Sequence, residues 1–320
     1  MTSPFILGIA AAVLAAVAWS LSFIVPFVIG RYSLFDFALV EFVFSGILAM
    51  GLLWRHADAV RELRRGDWVA AGSLGLIGYF GYFLAVMGAA VYAGPVIAPA
   101  FLGLVPVVLA VAGNLRERTV AWRRLILPLT LASAGLLLVN GSGLLRPVGM
   151  RAPSPSVGIA LALLAVALWT LFGLFNQSAL AQRPRMDAGV WTGLIVIGAA
   201  AAMLMFVPVG MSLGLFKIPR LGLAWRDAAP LLSWGAGLAV FANIGGAMAW
   251  TFASQRLPVA LSAQLISVEP AAATILGLLV HHRWPAPAEV AGMALLLSGV
   301  LIAIRIFTRR TSPDAEFAVA

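Results

Sequence analysis

A series of apolar runs separated by short breaks rich in arginine is the feature that most constrains this chain. A helix of about 20 apolar residues crosses the hydrocarbon of a bilayer. With 62% hydrophobic and 10% charged residues, a soluble fold would have to bury almost all of the chain, which the surface-to-volume ratio of a protein this size does not permit. We therefore predict an all-α, polytopic membrane protein with the lipid bilayer as its solvent.

The breaks divide the chain into ten predicted spans and leave no soluble domain. The first run is too long for a signal peptide and has no basic residue before it, so we interpret it as a span. The spans lie at 4–29, 34–54, 68–92, 95–113, 124–140, 157–181, 188–210, 228–253, 258–280 and 286–307.

The net charge of +9 predicts topology rather than nucleic-acid binding, because the basic residues are spread over the breaks and form no single patch. Of the 21 Lys and Arg residues, 14 fall in one set of loops and termini and 7 in the other. Basic residues concentrate on the cytoplasmic side of membrane proteins. We therefore predict that both termini are cytoplasmic.

Several function classes are excluded by what the sequence lacks. It has no cysteine, and His56, His281 and His282 lie at span ends and make no metal-ligand set. Phosphate-binding loops, zinc-protease motifs and serine-hydrolase elbows are also absent. We expect no enzymatic activity, no metal and no cofactor, and a transport process driven by a gradient.

Residues 141–156, a Gly/Pro/Ser-rich linker, separate two halves that resemble each other. The first five-helix repeat is predicted at 1–140 and the second at 157–307, followed by a flexible cytoplasmic tail at 308–320. Because five is odd, the halves would cross the membrane in opposite directions, as in secondary transporters with inverted repeats. Coincidence is the alternative, since Gly, Trp and Pro are common in membrane helices. Corresponding positions are Gly8 and Trp19-Ser20 with Gly158 and Trp169-Thr170 (offset 150), and Tyr79, Val105-Pro106 and Gly135 with Asn243, Glu269-Pro270 and Gly299 (offset 164).

These motifs resemble the drug/metabolite transporter superfamily in its ten-helix EamA-type form. The resemblance rests on the Trp-hydroxyl pairs, the two midspan prolines and the glycines of "ASAGLLLV" and "LLSGVLIA", and it covers nearly the whole chain. The third span, "GLIGYFGYFLAVMGA", is most similar to the YddG-type aromatic amino-acid exporters. The resemblance implies a bacterial inner-membrane location and export of amino acids.

The chain departs from the family pattern in two places. Glu41 stands where the family often has an arginine, and His281-His282 stand where it tends to have a glutamate, whereas Glu117 fits. Residue roles that depend on charge at these places do not carry over.

Two acids lie deep in predicted spans, and intramembrane acids mark function by default. Glu269 precedes Pro270, which removes a backbone N–H and clashes with the carbonyl of Ile266, so the helix should break there. Glu269 could stabilise the new helix N-terminus or contact a substrate or a proton. Glu41 has no such proline; pairing with a nearby cation is its commonest explanation, and a direct role in transport is the alternative.

Aromatic and amide side chains recur at helical spacing in four spans, which predicts a site between them. Each residue alone could serve packing, but the repeat symmetry would bring them to similar depth. We predict that Pro106 and Pro270 are hinges. The predicted substrate-binding residues are Trp19, Ser22, Phe23, Tyr79, Tyr82, Phe83, Trp169, Asn176, Asn243, Trp250 and Glu269, with Phe172 on the same face of span six.

The sequence thus predicts a secondary transporter that exports aromatic and other neutral amino acids by alternating access. Efflux of cationic drugs or other metabolites is one alternative. A lipid-handling or assembly protein with no solute path is another. The oligomeric state and any coupling ion stay open.

Overall fold

The computed structural model describes residues 4–93, 101, 103–144 and 154–310, and these residues form helices joined by short loops. We number the long helices α1 to α10 in chain order. They are α1 Pro4–Val28, α2 Leu34–Arg55, α3 Arg65–Ala93, α4 Val105–Glu117, α5 Trp122–Leu144, α6 Pro155–Ala181, α7 Ala188–Ser212, α8 Trp225–Ser254, α9 Val259–Val280 and α10 Pro287–Arg310.

Nine of these helices, counted within the described residues, are long and apolar enough to cross a membrane. The exception is α4, whose described part has 13 residues. The predicted fourth span, 95–113, begins in residues 94–100, which lie outside the description. Most of the linker at 141–156 and most of the tail at 308–320 also lie outside it.

Helices from the two halves pack against each other in a reciprocal pattern. Helix α1 packs against α8, and α6 packs against α3; likewise α2 packs against α8, and α7 against α3. The second, fourth and fifth helices of one half each pack against their counterparts, α7, α9 and α10. The core is therefore made between the halves as much as within them.

Glycines bring α5 and α10 into close contact at two corresponding places. A Cβ on Gly135 would press into the Gly292 carbonyl and Leu296, and one on Gly299 would lie 3.0 Å from the Pro128 carbonyl oxygen. The same offset of 164 relates Gly135 to Gly299 and Pro128 to Gly292. Small residues at these crossings let the backbones approach.

Both α3 and α8 contain a π-helical segment near the middle. The segments are Gly75–Gly81 and Ala239–Gly246, and they begin at positions 164 residues apart. Single π turns inside α-helices are uncommon and cluster at functional sites. Tyr79 and Asn243 occupy equivalent places within them.

Helix α9 is broken at Ser267, between the segments Val259–Ile266 and Val268–Val280. Pro270 is the third residue of the second segment, where its missing N–H costs no intrahelical bond. The break therefore lies three residues before the proline, and the last residue of the first segment is Ile266, whose carbonyl the proline ring would obstruct. Pro106 has a similar place as the second residue of α4.

Candidate functional site

Six aromatic rings from α1, α3, α6 and α8 form one continuous cluster. The Trp169 ring centroid lies 5.3 Å from that of Trp19, 5.0 Å from that of Tyr82 and 5.2 Å from that of Phe172. The chain of contacts continues from Phe172 to Tyr79 at 5.6 Å and from Trp19 to Trp250 at 5.8 Å. Edge-on and tilted pairs at these distances are favourable. The structure thus brings together five of the predicted site residues.

The cluster has two walls at corresponding positions of the two halves. We call Tyr79, Tyr82, Trp169 and Phe172, from α3 and α6, the aromatic wall. We call Trp19, Asn243, Gly246 and Trp250, from α1 and α8, the amide wall. Gly78 sits under the aromatic wall, since a Cβ there would collide with the Phe172 ring.

Phe83, Ser22 and Phe23, three of the predicted site residues, lie outside the cluster, as does Asn176. Phe83 packs in a separate group with Phe35 and Phe42, at centroid distances of 5.8 and 6.1 Å. Ser22 and Phe23 are exposed, within the 3-10 turn Leu21–Ile24 that follows Trp19. None of the three touches the six-ring cluster through a ring contact in the described part of the chain.

Asn176 is fully buried and accepts a hydrogen bond from Trp191 Nε1 at 2.8 Å. It lies seven residues beyond Trp169 in α6, or about 10 Å along the helix axis. This amide therefore joins α6 to α7 away from the rings.

The amide wall is fixed to its neighbours by hydrogen bonds. Trp19 Nε1 donates to the Ala242 carbonyl at 3.2 Å. Asn243 Nδ2 donates to Ser45 Oγ at 2.9 Å, and Ser45 Oγ donates to the Glu41 backbone carbonyl at 2.6 Å. No ion pair joins Glu41 to a cation among the described residues, so the expected pairing is not found there. No local feature of the sequence marks the contact between Asn243 and Ser45, because the two residues are 198 positions apart.

Glu269 lies in the first turn of the second segment of α9 and is partly accessible. Its side chain makes no hydrogen bond or ion pair with the described residues. It does not cap the helix through its side chain, although it lies near the helix N-terminus, which favours negative charge. The segment that carries Glu269 packs against α1, the helix that contributes Trp19 to the ring cluster.

The first segment of α9 carries buried polar groups that sequence reasoning passed over. Gln264 and Ser267 are fully buried, and neither amide atom of Gln264 nor the Ser267 hydroxyl has a hydrogen-bond partner among the described residues. The Trp250 indole N–H and the Ser262 hydroxyl are in the same condition. An amide inside an apolar run was the available signal, since such groups require partners.

One end of the bundle is held together by polar contacts between the halves. We call it the basic end; it contains the loops 56–64, 118–121, 182–187 and 255–258. Asp67 Oδ1 accepts from Arg183 Nε at 2.6 Å, and both side chains are at least four-fifths buried. Gln177 donates to the Leu257 carbonyl at 2.6 Å.

Two further contacts close this end. Glu117 accepts from the backbone N–H of Val259 at 3.1 Å and so caps α9, and Gln255 donates to the Met186 carbonyl at 2.8 Å. Arg256 lies over the Phe252 ring at 3.3 Å, and partial burial lowers the pKa of its guanidinium. A surface cleft of about 340 Å³, lined by Glu62, Asp67, Arg183 and Asp187 among others, lies at this end and not at the rings.

A search of protein families matches the EamA-like transporter family to residues 6–141 and again to residues 156–305. This protein belongs to the EamA-like transporter family. It is therefore a multi-pass membrane transporter of small molecules and not an enzyme. The expectation drawn from the sequence motifs is confirmed at this level.

A curated relative and a solved structure are similar to the chain along most of its length. The inner membrane protein YtfF of Escherichia coli (strain K12) is 29% identical over 314 residues, which are 93% of this chain and 95% of that protein. A solved crystal structure of a protein that is 18% identical superimposes with a TM-score of 0.70, over 93% of this chain and 98% of that one. At that identity the likeness concerns the fold alone.

Proposed function

We propose that this protein exports aromatic and other neutral amino acids across the bacterial inner membrane by alternating access between two inverted five-helix halves. The family match to each half in turn, at 6–141 and 156–305, supports the repeat. The reciprocal packing of α1 on α8 and α6 on α3 supports it further, as do the two π-helical segments at equivalent positions. In this proposal α4 completes a tenth crossing, and the halves are 1–140 and 157–307.

The proposed orientation places the basic end in the cytoplasm. Arginines of four loops gather there, as the positive-inside rule requires. The relative YtfF is named as an inner membrane protein. Both termini are then cytoplasmic, and the polar contacts such as Asp67–Arg183 close the cytoplasmic entrance in this conformation.

The substrate class follows from the two walls. The aromatic wall offers ring faces and edges on which a flat or apolar side chain can stack. Glu269 lies in the first turn of the second segment of α9, has no hydrogen bond or ion pair among the described residues, and can meet the ammonium group of the substrate. The N-terminal end of the second segment of α9 can meet its carboxylate, as half-helices do in other transporters.

The observation that carries the proposal is the cluster of six rings from four helices, together with Glu269, an acid that has no ion pair among the described residues. Such a lining fits a zwitterion with an apolar side chain better than a sugar or a phosphate, which would require several hydrogen-bonding side chains. The similarity of α3 to the aromatic amino-acid exporters points to the same class.

Transport by purified protein in liposomes tests the proposal. Vesicles loaded with unlabelled phenylalanine should take up labelled phenylalanine and tryptophan by counterflow faster than protein-free vesicles. Unlabelled glucose added outside should not reduce this uptake. The Trp284→Ala variant, at a side chain that is 92% exposed, should behave like the unaltered protein. Equal rates in vesicles with and without protein would reject amino-acid transport.

Efflux of cationic aromatic compounds is the second candidate. It is favoured by the same rings together with Glu269, because a cation is attracted to ring faces. Competition of phenylalanine counterflow by a quaternary ammonium dye would support it, and transport of the dye in place of any amino acid would establish it. Absence of transport for amino acids, nucleosides and quaternary ammonium compounds alike would favour a lipid-handling or assembly role.

A further inference from the structure

The cleft at the basic end is a cavity that the proposed substrate contacts do not use. Its volume of about 340 Å³ is enough for one amino acid and lies at the lower end of the range for small-molecule sites. Both halves of the chain contribute charged and apolar side chains to its lining, among them Glu62, Leu63 and Asp67 from the first half and Arg183, Met186 and Val190 from the second.

The Asp67–Arg183 ion pair joins the two halves within this cleft. Asp67 lies in the first turn of α3, and Arg183 lies in the loop between α6 and α7. The Asp67 side chain is 16% exposed and that of Arg183 is 20% exposed. Separating two charges that are so little exposed is strongly unfavourable when nothing replaces either of them. The ion pair therefore opposes separation of the halves at this end.

Each of the two charges is held in place by its own half. Asp67 Oδ2 accepts from the backbone N–H of Arg64 at 2.8 Å. Arg183 Nη1 donates to the Ala179 carbonyl at 3.0 Å, and the guanidinium lies 5.4 Å from the centroid of the Trp191 ring. Because these contacts do not cross between the halves, both charges keep their positions when the halves separate.

Arg183 has hydrogen-bonding capacity to spare. A guanidinium has five N–H donors, and two of these are used, Nε on Asp67 and Nη1 on Ala179. The other three have no acceptor among the contacts of the described residues. Of the remaining acids of the cleft, Asp187 caps α7 and Glu62 is exposed. A ligand carboxylate can therefore bind Arg183 before the ion pair breaks.

A ligand that replaces this ion pair has to carry both charges. A ligand with only a carboxylate would leave Asp67 without a counter-charge, and one with only an ammonium group would leave Arg183 without one. Either outcome is unfavourable at a site sheltered from water. An amino acid supplies both charges, and they are the same in every neutral amino acid. The cleft is therefore suited to recognise the zwitterion, and selection of the side chain is left to the rings.

Trp191 connects the cleft to the ring cluster. It follows Val190 of the cleft lining, and Arg183 lies over its ring. Trp191 also belongs to the same buried apolar cluster as Trp169 and Trp250. A substrate that passes the ion pair thus reaches the apolar surroundings of the rings.

We propose that the cleft is a loading site for zwitterionic amino acids, in which the substrate ammonium group binds Asp67 and its carboxylate binds Arg183. The substrate thereby replaces the ion pair and opens the basic end, so that the entrance opens only when it is occupied. This inference rests on the proposed function, from which the substrate class is taken. No covalent bond forms or breaks.

The labelling of a single cysteine tests the loading site. Val190→Cys places a thiol in the cleft lining, at a side chain that is 1% exposed, in a chain without other cysteines. Its rate of reaction with a maleimide therefore reports opening. Phenylalanine and glycine should each raise this rate several-fold, because both are zwitterions. N-acetylphenylalanine and phenylalanine methyl ester, which each lack one charge, should leave the rate unchanged.

Variants made in the Val190→Cys protein identify the groups responsible. Asp67→Asn and Arg183→Gln should each raise the labelling rate without ligand and lose the response to glycine. Arg183→Lys retains the charge and should retain the response. Asp58→Asn is the matched control, because Asp58 forms an exposed ion pair with Arg61 at 3.1 Å and does not line the cleft. It should respond to glycine as the Val190→Cys protein does.

Two results would overturn the loading site. One is a labelling rate that neither phenylalanine nor glycine changes, and the other is an equal response to a compound that lacks one of the two charges. Counterflow of phenylalanine in liposomes without any labelling response would reject the loading site and leave amino-acid export standing. A response to both zwitterions without counterflow of any amino acid would support the loading site and reject the proposed transport.

Discussion

The aromatic wall and the amide wall occupy corresponding positions of the two halves but carry different chemistry. Tyr82 packs on Trp169 at 5.0 Å, whereas at the matching place Gly246 approaches Trp19 so closely that a Cβ would lie 3.1 Å from its indole nitrogen. Tyr79 packs on Phe172, whereas its counterpart Asn243 bonds to Ser45. The scaffold is shared and the recognition surface is not. Residues kept in both walls belong to the machinery of the fold, and residues found in one wall are where specificity can be sought.

The largest loss of stability and transport is expected at Trp169 and Trp19, the tryptophans that occupy corresponding positions in the two walls. Trp169 contacts three rings and is buried, so Trp169→Ala should destabilise the protein by about 3–5 kcal/mol and abolish transport. Trp19→Ala should do nearly the same. Thermal unfolding in detergent and counterflow in liposomes check this against Trp284→Ala. An intact transport rate in Trp169→Ala would show that the two walls do not form one site.

The next effect distinguishes the walls from each other. Tyr82→Ala removes a ring found only in the aromatic wall, so KM for tryptophan should rise about tenfold while KM for valine changes little. Tyr82→Phe retains the ring and serves as the matched control. Equal losses for both substrates would indicate that the wall packs the fold without selecting the substrate.

Beside the break in α9 lie one residue type that both halves contain at this position and one that only the second half contains. Pro270 corresponds to Pro106 and Glu269 to Val105. We expect Pro270→Ala to slow the exchange of every substrate several-fold, and Glu269→Gln to raise KM about tenfold for substrates with an ammonium group only. Comparing phenylalanine with its N-acetyl derivative measures this. If Glu269→Gln lowers only the melting temperature, Glu269 stabilises the helix end and contacts no substrate.

The smallest effect concerns the two ends of the bundle. Asp67 lies in the first turn of α3 and binds Arg183 at 2.6 Å, whereas Asp227, in the first turn of α8, has no ion pair among the described contacts. Asp67→Asn should weaken closure of the basic end by about 1–3 kcal/mol, and Asp227→Asn by much less. Because the chain has no cysteine, Val190→Cys in the cleft can report opening through its rate of labelling. Equal rates in the two aspartate variants would contradict a closed basic end.

The sequence predicted the nine membrane-spanning helices found among the described residues, because hydropathy and length decide them almost alone. It also predicted which faces meet: Trp19, Tyr82, Trp169 and Trp250 were selected by helical spacing and the repeat offset, and the structure brings them together. It could not predict that Asn176 would bond to Trp191, because an amide at membrane depth takes whichever partner the packing supplies.

Glu41 shows the same limit from the other direction. A cation was expected to pair with it, and no such ion pair is present among the described residues, since nothing local in the sequence specifies which side chains of other helices pack beside this acid. The π-helical segments were also unforeseen, because their cause is the fit between neighbouring helices and no residue type marks them reliably.

The two π-helical segments have a consequence for how the spans can turn. Each segment contains a surplus residue relative to an α-helix of the same length, because π turns hold more residues than α turns do. If one surplus residue passed out of the segment Gly75–Gly81, the rest of α3 would rotate by about 100° and advance by about 1.5 Å. The π-helical segment Ala239–Gly246 contains the same kind of surplus residue in α8. A screw motion in one span, matched by the reverse motion in its counterpart, could therefore swing Tyr79 and Asn243 past the rings without melting either helix.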